Sequence, residues 1–163
     1  MTDIFDLIRA DRPRDEYREQ VMLFGRLVGS WKVASTWTLP DGNKRKAAGE
    51  WHFQWILGGM GVQDVLYADS YGREKYGTTI RCYDPEKDLW HISWMQPGNG
   101  EFAVLTAREV NGTIEQEVLG LSDRRQIWRF SAVTPHSFVW RDEVSDDSGR
   151  SWRVDQEMVC TRD

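Results

Sequence analysis

Three histidines, two cysteines and a few carboxylates in apolar contexts are the residues through which this chain could do metal, nucleophilic or acid–base chemistry. The histidines do not cluster. His52 stands between Trp51 and Phe53, His91 between Trp90 and Ile92, and His136 follows Pro135, with no pair at the two- or four-residue spacing that brings two ligands onto one metal. No metal site is expected. Cys82 and Cys160 have no histidine nearby in sequence to take a proton, and Ser30, Ser35 and Ser93 lie in no nucleophile motif, so packing is the ordinary use of each. The glycine run Gly58-Gly59-Met60-Gly61 is followed by neither a helix nor a Lys-Ser/Thr pair, which argues for a turn rather than a phosphate cradle. Asp142 remains, because a carboxyl group desolvated in an apolar pocket has a raised pKa and can exchange protons near neutrality. Arg108 either pairs with it, anchors a ligand carboxylate, or is a solvated or structural arginine.

The elements that must position these groups are legible in the hydrophobic period, which changes at Leu27-Val28-Gly29-Ser30-Trp31. Before that point Tyr17, Val21, Phe24 and Val28 recur at helical spacing. After it Trp31, Val33, Ser35 and Trp37 alternate with polar or small residues, as in a strand with two unlike faces, and Gly29 is the hinge between the two. A short helix capped by Thr2 or Asp3 is predicted to about residue 10, then a second with Pro13 in its first turn, running to about residue 28. Turn signals recur about every ten residues from there. They predict ten antiparallel strands, at 30–39, 47–57, 61–70, 75–84, 88–96, 101–109, 113–120, 125–133, 137–145 and 151–161. Sequential hairpins need no crossover and closure removes both open edges, so an up-and-down β-barrel of eight to ten strands is favoured over a sandwich, with the helix across one mouth. The expected organisation is a single domain over 1–163, with a helical segment at 1–28 and the barrel at 29–163.

Composition removes several function classes. A net charge of −5 with no basic tract argues against nucleic acid, and Lys44-Arg45-Lys46 reads as a hairpin tip after Pro40-Asp41-Gly42-Asn43. No apolar run reaches membrane length, and the N-terminus has acidic residues where a secretion signal needs basic ones, so cytoplasmic residence with reduced thiols is expected.

Strict alternation from Trp31 puts Val33, Ser35 and Trp37 inside with it. Taking the more apolar face of later strands adds Trp51, Phe53 and Trp55, then Trp90, Ile92 and Trp94, then Trp128, Phe130 and Ala132, then Phe138 and Trp140, then Trp152, Val154 and Met158. Thr78, Gln116, Gln126, Asp142 and Gln156 share those faces, while the phase of 61–70 and 101–109 stays open. Trp37, Trp55, Trp94, Trp128 and Trp140 are therefore expected to wall a ligand cavity, with Gln116, Gln156 and Asp142 or Arg108 holding a polar end. Arg162 shares the phase of Met158 and Cys160, so its guanidinium should reach the Trp31 indole and nearby carbonyls.

With Gly29-Ser30-Trp31 opening the first strand and Arg162 just beyond the last, the chain resembles the calycin superfamily of lipocalin-like and fatty-acid-binding-protein-like barrels. Leu27-Val28-Gly29-Ser30-Trp31, the run Ile56 to Val65, and Cys82-Tyr83-Asp84-Pro85 followed by Trp90 and Trp94 resemble more narrowly a bacterial family of lipocalin-like domains. The resemblance implies a barrel whose cavity holds a small hydrophobic molecule, a structural role for Gly29, Trp31 and Arg162, and no named ligand. Haem-binding calycins carry further glycines after the tryptophan and a histidine near the C-terminus; here Lys32-Val33-Ala34-Ser35 follows and no histidine comes after His136. No cofactor is expected, with haem the minority alternative. A binding module, free or as a homodimer, ranks first. An enzyme acting on a lipophilic substrate through a buried carboxylate comes second, and an interaction or structural barrel third.

Overall fold

The computed structural model describes residues 1–68 and 76–163. Its N-terminal helix α1 (Ile4–Ile8) is capped by Asp3, whose carboxylate accepts the Phe5 N–H at 2.8 Å. The chain then leaves helical geometry early, because Arg9 bridges to Ile56 and the Ala10 N–H donates to the Trp55 carbonyl. Pro13 is not in the first turn of the second helix. The Arg14 N–H is held by the Gly59 carbonyl, so a single 3-10 turn (Asp15–Tyr17) precedes α2 (Arg18–Gly25). That helix stops three residues short of Val28, where the Leu27 and Val28 N–H groups bond back to Phe24 and Gly25. The Leu27 carbonyl accepts the Trp31 indole N–H at 2.7 Å, joining the helix end to the first strand.

Ten strands follow: β1 (Gly29–Thr38), β2 (Lys44–Ile56), β3 (Gly61–Ala68), β4 (Tyr76–Asp84), β5 (Leu89–Gln96), β6 (Glu101–Val110), β7 (Thr113–Val118), β8 (Arg125–Ser131), β9 (Ser137–Ser145) and β10 (Arg153–Thr161). The far ends expected for the third strand and the near end of the fourth fall outside the described residues. Every pairing is antiparallel between neighbours in sequence, and β1 pairs with β10 to close the barrel. Closure leaves no strand edge to template another chain.

The two ends differ. At the end where β1 begins, Val21, Phe24 and Leu27 are fully buried against the barrel. Phe24 meets Trp90 edge-on at 4.8 Å and Phe130 at 6.0 Å, the geometry that aromatic quadrupoles prefer. Gly29, at φ 124°, lies in a conformation that disfavours side chains, and a Cβ there would come 2.6 Å from Arg162 Nη1. The opposite end carries the connections at 39–43, 97–100, 119–124 and 146–152, and none of the described helices covers it.

Four expected inward residues are not inside. Asp155 is an extra residue opposite the Glu143/Asp142 step of β9, so the phase of β10 inverts there and Trp152 and Val154 turn outward. Ala132 lies past the end of β8, exposed and at φ 50°. Thr78 faces outward, where its hydroxyl donates to the Asp64 carbonyl at 2.6 Å, and Thr79 and Arg81 of β4 face in instead.

Candidate functional site

All ten strands contribute to one cavity of about 680 Å³ inside the barrel, reached from the end opposite α2. Its wall is aromatic. Trp94 stands perpendicular to Trp128 at 6.2 Å, Trp128 is tilted against Trp140 at 5.8 Å, and Trp140 meets Trp51 edge-on at 6.3 Å. Gly77 makes room for this arrangement, since a Cβ there would lie 1.9 Å from the Trp94 ring. At the rim Trp37 is half-buried and carries the Arg45 guanidinium 4.7 Å over its face.

The floor is an ion pair. Arg81 and Asp64, each 1 % exposed, bond side chain to side chain. The Arg81 Nε–H donates to Gln116 Oε1 at 3.1 Å, and Asp64 Oδ1 accepts the Thr79 N–H at 3.2 Å. Below it, the guanidinium lies 5.0 Å over Phe24 and 5.6 Å over Phe53, so Arg81 separates the cavity from the packed half of the barrel. A desolvated charge needs this degree of partnering. The sequence reading missed both residues, because it left the phase of β3 open and took the apolar face of β4 as inward. The available signal was that Val62, Asp64 and Leu66 share one phase and that Arg81 falls diagonally opposite Asp64 in the hairpin register.

Asp142 lies at the outer part of the cavity. Burial pushes its carboxyl up to about 6, and the neighbouring Asp155 adds to this; Gln126, the Arg124 charge and the Trp128 side chain pull the other way. The Gln126 amide donates to both carboxylate oxygens, at 2.8 and 2.9 Å. Gln156 lines the same region and donates to Ser35 Oγ at 2.9 Å.

Trp37, Trp94, Trp128, Trp140, Asp142 and Gln156 thus meet around one space. Three expected ligand residues do not. Trp55 is buried beneath α2, where a Cβ on Gly25 would strike its ring. Gln116 is fully buried in the Arg81 network. Arg108 is exposed on the outer face opposite Glu115 and far in register from Asp142, because Leu105 and Ala107 take the inner phase of β6. Arg162 lies 3.9 Å over the Trp31 ring and donates to the Val28 and Pro135 carbonyls, both at 2.7 Å.

On the outer wall Ser30 Oγ is 2.8 Å from His52 Nδ1, and Glu50 is 3.0 Å from Nε2. This line of hydroxyl, imidazole and carboxylate is exposed and borders none of the cavities, so nothing positions a substrate over it. His91 bonds to Asp84 at 2.9 Å, and His136 is exposed in the β8–β9 connection. Among the described residues no three His, Cys, Asp or Glu side chains converge as metal ligands. Burial raises the pKa of both thiols, Cys160 the more, so neither is an activated nucleophile.

No protein-family model matches the chain, and no curated protein matches it in sequence. Solved structures share its fold. The S-type phycobiliprotein lyase CPES from Guillardia theta is 12 % identical, with a TM-score of 0.59 over 93 % of this chain and 98 % of that one. Rv2717c from M. tuberculosis is 15 % identical, with a TM-score of 0.54 over 88 % and 97 %. What the chain shares with both is the fold, a closed antiparallel barrel. No described helix is long and apolar enough to cross a membrane.

Proposed function

We propose that this protein binds a small, largely apolar molecule, flat or aliphatic, in the open half of its barrel. The observation that carries the reading is the cavity of about 680 Å³ walled by Trp51, Trp94, Trp128 and Trp140, within the roughly 300–1,000 Å³ typical of small-molecule sites. A lining of rigid rings with few polar groups favours an apolar body, and the Arg81–Asp64 floor limits its depth. The likeness to a phycobiliprotein lyase supports a barrel of this shape.

Ligand beside four indoles changes their emission, so titrating fatty acids, flavonoid-like aromatics and haem into the protein tests the reading directly. Trp94→Ala or Trp140→Ala is expected to weaken binding by about tenfold or more, as the loss of a large aromatic contact implies. Trp152→Ala, on the outer face, is expected to leave affinity unchanged. Absence of any response in all three ligand classes overturns the proposal.

A second reading, turnover of the bound molecule, is favoured by one observation: Asp142 borders the cavity with its carboxyl pushed up to about 6, suited to general acid–base work near neutrality. Recovery of a chemically altered ligand, lost in Asp142→Asn, distinguishes it from binding alone.

A further inference from the structure

The polar groups around the cavity are unequal in kind. Arg81 is spent on Asp64 and Gln116. Arg45 rests on the Trp37 face at the rim. The Gln126 amide nitrogen is used by Asp142, and its oxygen accepts from Arg124 at 2.9 Å. Acceptors dominate what is left. Asp142, Asp155 and Glu101 all line the space, and Gln156 has given one of its two amide N–H groups to Ser35. Glu101 accepts the Trp94 indole N–H at 3.3 Å and Asp155 is paired with Arg153, but Asp142 forms no ion pair among the described residues. Its hydrogen-bonding neighbours there are neutral, the Gln126 amide first and the Trp128 side chain after it.

A carboxylate held mostly out of water with no cation in contact, the Arg124 charge reaching it only from beyond Gln126, is an unfinished arrangement. The rings around it point to what completes it, because their faces carry the negative lobe of the π quadrupole and attract cations. Arg45 over Trp37 shows such a contact already formed at the rim. Deeper in the wall, Trp51 is 3 % exposed and its indole N–H is buried with no acceptor among the described residues. A buried donor without a partner is a second unfilled position.

We propose that the cavity takes an amphiphilic organic cation, with a protonated amine against Asp142, an apolar body along Trp94, Trp128 and Trp140, and an acceptor atom facing Trp51. This rests on the reading that the cavity binds a small apolar molecule and narrows it to one charge class. It runs against the fatty-acid alternative, since the one arginine in the cavity floor is already neutralised and Arg108 lies outside.

The pH dependence follows from the same groups. Asp142 is faced by Asp155 of β10, by Arg124 of the β7–β8 connection, and by Gln126 and Trp128 of β8. Its carboxyl, at about 6 in the unliganded protein, is ionised at pH 7.5 and loses its charge as the pH falls. An alkylamine stays protonated over that whole range, as lysine does, so any change in its binding belongs to the protein.

Decylamine, decanol and decanoate, below their aggregation concentrations, carry one chain with three heads and can be titrated by tryptophan fluorescence. At pH 7.5 decylamine is expected to bind about tenfold tighter than decanol and tighter still than decanoate, the scale of one modest charge contact. The amine-to-alcohol ratio is expected to fall to within about twofold in Asp142→Asn, and also in the unaltered protein at pH 5, which guards against a folding defect of the variant. Decanoate binding tightest, or a ratio that survives in both, overturns the inference. If decanol and decanoate bind while decylamine has no preference, the inference falls and the apolar-ligand reading stands. If none of the three binds, both fall.

Discussion

Asp142 is the residue at which site chemistry and stability meet. Burial, with Asp155 beside it, lifts its carboxyl from the ordinary 3.8 to about 6 against the pull of the Gln126 hydrogen bonds, so the fold holds a proton there more tightly than the unfolded chain does. Stability tied to this group is therefore fully present below about pH 4 and is lost as the pH rises through about 6. At pH 7.5 the ionised carboxylate costs on the order of 2 kcal/mol. Asp142→Asn keeps the shape and removes the charge. It is expected to raise the melting temperature at pH 7.5, with the gain shrinking to nothing near pH 4. A melt series across that range checks it, and an unchanged or lower value at pH 7.5 would mean that a partner compensates the carboxylate. Arg81 and Asp64 differ from it in that each is the other's counter-charge, and the pair forms a dry floor to the cavity.

At the scale of elements, the join between α2, β1 and β10 holds the closed end. Arg162 covers the Trp31 face at 3.9 Å and bonds the carbonyls of Val28 and Pro135, while its backbone N–H donates to the His136 carbonyl. One side chain thus ties the helix exit, the first strand and the β8–β9 connection. A cation over an indole contributes about 0.5–2 kcal/mol. Adding the two hydrogen bonds, Arg162→Ala is expected to cost roughly 1–3 kcal/mol and lower the melting temperature by about 3–9 °C for a chain of this size. Ligand affinity at the opposite end should be unaffected. Equal loss of both would mean that the two ends are coupled. The bulge at Asp155 acts at this same scale, since one extra residue sets Asp155 and Gln156 on the cavity and turns Trp152 outward, where the Arg125 guanidinium lies 5.6 Å from its ring.

The whole molecule is a barrel packed at one end and open at the other. Phe24, Trp90, Phe130 and Phe138, each at most 1 % exposed, fill the half beneath Arg81, and the cavity occupies the half above. Amide exchange should follow this division, slowest in the lower segments of β1, β5 and β8 and fastest in the connections at 97–100 and 119–124. Ligand should slow exchange chiefly in the upper segments. Protection confined to the closed end would place the ligand elsewhere. Much of this architecture is written locally. Hydrophobic period, turn residues at ten-residue intervals and the glycine before Trp31 are properties of neighbouring residues, and they determined ten consecutive antiparallel strands, closure and a helix at the first strand's mouth. Alternation also placed Trp37, Trp94, Trp128, Trp140, Asp142 and Gln156 on the cavity side, because each lies in a strand segment whose phase runs unbroken. Tertiary structure decided what depends on partners distant in the chain. A buried arginine is unreadable until Asp64 and Gln116 are known to converge on it, and apolarity alone misassigned β4 for that reason. Arg108 went outside because Leu105 and Ala107 had the stronger claim on the interior, Trp55 went under the helix because Gly25 left room for it, and the β10 bulge reversed a phase that strict alternation had carried through. The division of the barrel into a filled half and an empty one was settled only by the side chains that meet across it.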